Sequence, residues 1–115
     1  MRLRPQLRLG FALVRGRSMS PTLREGDRLL VRYDAVPRPK RLVVVRLPDG
    51  VVAVKRAARR VPGGWWVERD NPREGVDSWA VGPIADQDVL AVVVCRVWPV
   101  RALHSGLVPP TSPLL

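Results

Sequence analysis

The sequence is poor in the side chains that most often carry catalysis and cross-linking. Its 115 residues include one histidine, one cysteine and, among 20 basic side chains, two lysines. A single cysteine, Cys95, excludes an internal disulfide and a cysteine-rich metal site. It lies in the apolar run Val89 to Cys95 and is expected to be a buried structural thiol. The single histidine, His104, sits between Leu103 and Ser105 near the far end of the chain. A Ser-His-Asp triad would have to recruit it from there, so serine chemistry in this protein needs another base. No clustering of ligating side chains implies a metal or a cofactor. Long apolar runs are missing too: Leu9 to Val14 holds six residues, against the roughly 20 that span a bilayer. Arg15 and Arg17 follow that run at once, so it reads as a first strand of the mature protein and not as a secretory leader. A cytoplasmic protein, or one peripheral to a membrane, is expected.

What the chain has in excess is arginine. The formal charge is +10, which by itself would suggest nucleic acid or an anionic membrane surface as a partner. The charges are scattered, however, and no helix-turn-helix, zinc or RNA-binding signature accompanies them, which argues against nucleic acid. Contact with a membrane surface stays open. The length allows one domain with one modest core. Residues 1–98 are expected to form it, with 99–115 a Pro-rich tail.

Strand signals dominate. Arg28 to Tyr33, Leu42 to Leu47, Val51 to Arg59, Trp65 to Glu68 and Val89 to Trp98 are short and rich in β-branched or aromatic residues. Pro48-Asp49-Gly50 and Gly63-Gly64 supply turns between them. Asp70 to Ile84 is too polar and turn-rich for a strand and reads as a functional loop. The expectation is an all-β fold, a compact coiled antiparallel sheet or partial barrel, with at most one helical turn after Pro21.

Two stretches could carry chemistry. In Gly16-Arg17-Ser18-Met19-Ser20-Pro21-Thr22-Leu23 a serine follows a flexible pair and precedes a stiffening proline, which can hold its Oγ and N–H exposed on a tight turn. Taken alone this is only a turn. In Val51-Val52-Ala53-Val54-Lys55-Arg56-Ala57-Ala58 one of the two lysines lies inside an apolar strand of an arginine-rich chain. Arginine stays protonated, whereas a desolvated lysine can become a neutral amine near neutral pH and accept a serine proton. The bland reading is a lysine that snorkels from a strand end. Alternation does not decide between them, because both faces of this strand are apolar.

Ser18-Met19-Ser20-Pro21-Thr22-Leu23 resembles the nucleophile box of the type I signal peptidases, and Gly26-Asp27-Arg28-Leu29-Leu30-Val31 looks like the strand that follows it. Lys55-Arg56 resembles the family's Lys-Arg box. Asp70-Asn71 with Asp77-Ser78 before Gly82-Pro83-Ile84 is similar to its last box. The resemblance implies Ser18 as nucleophile and Lys55 as general base, with the Ser18 N–H as an oxyanion donor. Met19 would pack beside the dyad, Asp77 and Ser78 would brace the strands around Lys55, and Asp70 and Asn71 would fix the loop. The implied substrate is a protein or peptide with an N-terminal leader.

Gly16 stands where some members carry a second oxyanion hydroxyl. Arg69, Gly75 and Trp79 stand where the pattern has glycine, often a serine that supports the lysine, and arginine. The family's membrane anchor and large second β-domain are absent from this sequence. Gly63-Gly64-Trp65-Trp66-Val67 looks like the nickel-type superoxide dismutase maturation proteases, a subgroup similar to minimal signal-peptidase cores. Other readings are a LexA-like self-cleaving domain, a non-enzymatic basic β-module, and a fragment whose anchor lies upstream of Met1. Against self-cleavage, the chain has no Ala-Gly or Cys-Gly dipeptide.

Overall fold

A computed structural model describes residues 8–99. The expected tail and His104 lie outside the described residues. Seven strands form one antiparallel sheet: β1 Leu9–Leu13, β2 Arg28–Arg32, β3 Leu42–Arg46, β4 Val52–Val61, β5 Gly64–Glu68, β6 Ile84–Ala85 and β7 Val89–Trp98. Their order across the sheet is β1-β2-β7-β3-β4-β5-β6, so the last of the described strands lies between the second and the third. The sheet curls into a half-barrel, and the all-β expectation holds.

The curl follows from the central strand. In β3, Val43, Val44 and Val45 are all buried, so both of its faces are covered. Val44 joins Val14, Met19, Leu29, Val31 and Val54 in one apolar cluster. Val43 and Val45 join Ala57, Trp65, Val67 and Ile84 in a second cluster on the opposite face. β-Branched side chains suit a pleated strand packed on both sides, and burying each valine contributes about 1.5–3 kcal/mol. The β3–β4 connection is a tight turn in which Gly50 N–H donates to the Leu47 carbonyl at 2.8 Å and Val51 N–H donates to Asp49 Oδ1 at 2.9 Å. Register then sets Val44 opposite Val54 and Val43 opposite Lys55. Lys55 therefore points toward the second cluster, between Ala53 and Ala57 on its own strand.

Three expectations need correction. Cys95 is exposed, not buried. β7 runs from the core-facing Ala91 out to a flank that β3 no longer covers, so its apolar composition does not mean burial. The segment from Asp70 to Ile84 is not all loop: it holds a short helix, α1 Ser78–Val81, and Ile84 begins β6. Asp77 caps α1 through a hydrogen bond from Trp79 N–H at 3.1 Å. No helical turn forms after Pro21: Met19 to Leu23 is a non-helical turn in which Leu23 N–H donates to the Met19 carbonyl at 2.9 Å. A 3₁₀ turn at Asp86–Asp88 is the second helical piece among the described residues.

Candidate active site

Ser18 lies on the connection from β1 to β2, two residues after Gly16, whose φ of +77° turns the chain sharply. Met19 anchors this turn by packing into the first apolar cluster. Its sulfur also accepts a hydrogen bond from Asp70 N–H at 3.4 Å. Asn71 holds the turn from the other side: its N–H donates to the Ser18 carbonyl and its Nδ2 donates to the Arg17 carbonyl, both at 2.8 Å. Two adjacent pairs that the sequence places far apart, Ser18-Met19 and Asp70-Asn71, are thus brought into one assembly.

Asp70 also ties this assembly to β4. Its carboxylate accepts Arg56 Nε at 2.8 Å, Arg56 Nη2 at 2.6 Å and the Thr22 hydroxyl at 2.6 Å. The two parallel Arg56 bonds form a planar fork that fixes direction as well as distance. The hydrogen bonds from Arg56, joined by that from Thr22, hold the Asp70 carboxyl below its ordinary pKa of 3.8, although partial burial opposes them. Stability from this clamp is then fully present above the ordinary value and is lost as pH falls through the lowered one. Replacing Asp70 with asparagine is expected to cost about 1–3 kcal/mol at neutral pH. It should also flatten the acid limb of the stability–pH curve, as urea titrations between neutral and acid pH would show.

Lys55 is 2% exposed. Burial pushes its pKa down from 10.5; the Asp77 carboxylate opposes that shift and the Arg69 guanidinium adds to it. Among the described residues, none of the ion pairs within 4.0 Å involves Lys55. Snorkelling into solvent is excluded at this position. Asp77 is held in place by Arg69 N–H at 3.1 Å and Trp79 N–H at 3.1 Å. The buried Ser78 Oγ accepts Val67 N–H at 2.8 Å, which satisfies a strand amide of β5 and pins α1 to the sheet.

Arg69, which the sequence showed only as a departure from a family pattern, organises the loop. Its guanidinium donates to the carbonyls of Asn71 at 2.8 Å, Gly75 at 2.9 Å and Pro72 at 3.0 Å. A single side chain thereby sets the path of residues 71–75 and brings a positive charge near Lys55. Gly75, at φ +112°, packs against Ser18. A Cβ there would run into Ser18 Cβ and lie 3.1 Å from Ser18 Cα. Gly75 therefore borders the serine and leaves room for it, in place of the lysine-supporting role that the family pattern suggested. No sequence signal could have shown this, since the contact joins residues 57 positions apart. Trp79, in the pattern's arginine position, is 73% exposed. It packs edge-on against Trp66 and donates its indole N–H to Glu68 at 3.1 Å.

Beside Ser18 lies a small cavity of about 80 Å³, lined by Leu13, Val14, Met19, Val44, Val52 and Val54 among others. Val54 precedes Lys55 in the strand and points to the opposite face, so the cavity wall and the lysine come from adjacent residues. No helix among the described residues is long and apolar enough to cross a membrane. The arrangement is a turn-borne serine next to a small apolar cavity, with a buried lysine, its pKa lowered by burial, at the next strand position and facing the other way.

Residues 3–94 match the family model described as Peptidase S24-like, and no curated protein matches the chain. That match agrees with both the signal-peptidase resemblance and the LexA-like reading at the level of their superfamily and does not choose between them. It covers well over half of the sequence: the chain belongs to the Peptidase S24-like family, and with it to the serine peptidases.

Proposed function

We propose that the chain is a Ser–Lys endopeptidase of the type I signal-peptidase kind that removes a leader from a protein substrate. Ser18 is the nucleophile and Lys55 the general base. The observation that carries this reading is the burial of Lys55 between Ala53, Ala57 and Val43 in a chain whose basic side chains are otherwise arginine apart from Lys40. A buried cation without a close anion is costly unless it can lose its proton.

In the first half-reaction the Lys55 amine accepts the Ser18 proton while Oγ bonds to the scissile carbonyl carbon. The carbonyl electron pair moves onto oxygen, where the Ser18 N–H can meet it; among the described residues that N–H donates to no other group. Collapse breaks the C–N bond, and the departing amine takes the proton from the Lys55 ammonium. A water, deprotonated by Lys55, then hydrolyses the ester and restores Ser18. The small apolar cavity beside Ser18 suits a short aliphatic side chain next to the scissile bond. Cleavage of another chain fits better than self-cleavage, since the sequence lacks Ala-Gly and Cys-Gly. Maturation of a nickel-type superoxide dismutase is the substrate that the Gly63 to Val67 resemblance favours.

The test is acylation by an electrophilic serine probe read by intact mass. Wild type should gain one adduct, at Ser18, and Ser18→Ala none. Equal labelling of both proteins, or of neither, would remove the chemical basis of the proposal.

A further inference from the structure

A second groove, sharing no lining residue with the cavity at Ser18, opens along β7. It has a volume of about 410 Å³. β7 pairs with β3 only over Val89 to Val92, whereas it pairs with β2 from Val92 to Trp98. Among the described residues, the β3-side flank of Val93 to Val97 therefore has no strand beside it. The groove lies along this flank: its floor includes Leu42, Val93 and Val94, and its rim carries Lys40, Arg41 and Arg96. Where it continues past Arg41, Arg32 and Arg38 line it together with Asp34, whose carboxylate is paired with Arg8 at 3.6 Å, so the balance of charge there stays positive.

From this juxtaposition we infer that the groove is a docking site for an extended, acidic segment of a partner protein, which adds to the sheet beside β7. An open strand flank offers main-chain hydrogen bonds to an extended chain. Valines on the floor take its apolar side chains, and arginines and a lysine on the rim take its carboxylates. Residues 1–7 and 100–115 do not supply the acidic segment, since they contain no aspartate or glutamate. Nucleic acid fits less well: the groove lining holds no aromatic side chain on which a base could stack. The inference stands apart from the Ser18–Lys55 chemistry and can fail or hold without it.

The experiment uses the full chain and three fluorescent probes: a peptide of about eight residues alternating Glu and Val, its Lys–Val counterpart, and a single-stranded oligonucleotide of equal charge. Polarisation should show binding of the Glu–Val peptide alone, weakened about tenfold or more by Arg41→Glu and by raised salt. Circular dichroism checks that the variant is folded. In wild type, hydrogen exchange should show new amide protection within Val93 to Val97 when the peptide is bound. Equal binding of the Lys–Val peptide, preference for the oligonucleotide, no binding of the Glu–Val peptide, or protection elsewhere would each overturn the proposal.

Discussion

Lys55→Met is expected to remove acylation of Ser18 while making the protein more stable. Methionine fills the space between Ala53 and Ala57 with an unbranched chain of similar length and has no charge to desolvate. The loss of a positioned base should slow acylation by roughly 10²–10⁴-fold. The gain in stability should be about 1 kcal/mol at neutral pH, which for a domain of this size raises the melting temperature by about 4–8 °C. The pH dependence separates this outcome from general repacking. Burial lowers the Lys55 pKa from 10.5 in the folded protein, with Arg69 adding to the shift against Asp77. Between the lowered value and 10.5 the unfolded chain binds more protons than the folded one, so wild-type stability rises with pH across that window. The methionine variant should lack the Lys55 part of that rise. Acylation by wild type should also increase with pH, on a limb lying below the pKa of a free lysine. Thermal melts and probe kinetics measured over the same pH series would show both effects. A variant that is less stable and still acylated would make Lys55 a structural residue.

Gly75→Ala is expected to disable the site from the opposite side. The added methyl group runs into Ser18 Cβ, and the φ of +112° is one that alanine adopts only under strain. Either the loop from Asn71 to Gly75 moves, breaking the Arg69 bonds that shape it, or the serine moves. A displacement of this kind should lower the acylation rate by about a hundredfold or more, and the strain should cost about 1–3 kcal/mol. Gly50→Ala is the control. Gly50 has φ +90° in the β3–β4 turn, and nothing lies within 4 Å of the Cβ it would gain. It should lose stability without losing acylation. Similar rates for Gly75→Ala and wild type would show that the nucleophile's position does not depend on this contact.

The sheet was legible in the sequence because its signal is local. Runs such as Leu42 to Leu47 and Val51 to Arg59 combine β-branched residues with turn residues at their ends, and the observed β3 and β4 fall within a residue or two of them. The placement of Ser18 on a turn and Lys55 in a strand was legible for the same reason. Burial was harder to read where both faces of a strand are apolar: composition alone could not tell the enclosed Lys55 from the exposed Cys95. That difference comes from which neighbours cover each strand, and β7 outruns β3 just before Cys95. The short helix at Ser78 to Val81 gave no periodic signal, being a single turn made by the Asp77 cap. The role of Arg69 was the least visible, because its three carbonyl partners converge only in the folded loop.

The position of β7 between β2 and β3 has a consequence for how the protein is made. On the ribosome, β1 and β2 emerge early and β3 to β6 follow, yet in the sheet the two groups share no strand-to-strand pairing until Val89 to Trp98 has been synthesised. Pairing β2 with β7 closes a chain segment of more than fifty residues, a non-local step of the kind that makes folding slow. Until that step, the turn bearing Ser18 and the strand bearing Lys55 belong to separate, half-exposed sheets. A nascent chain therefore carries both groups well before the sheet that positions them is closed by β7.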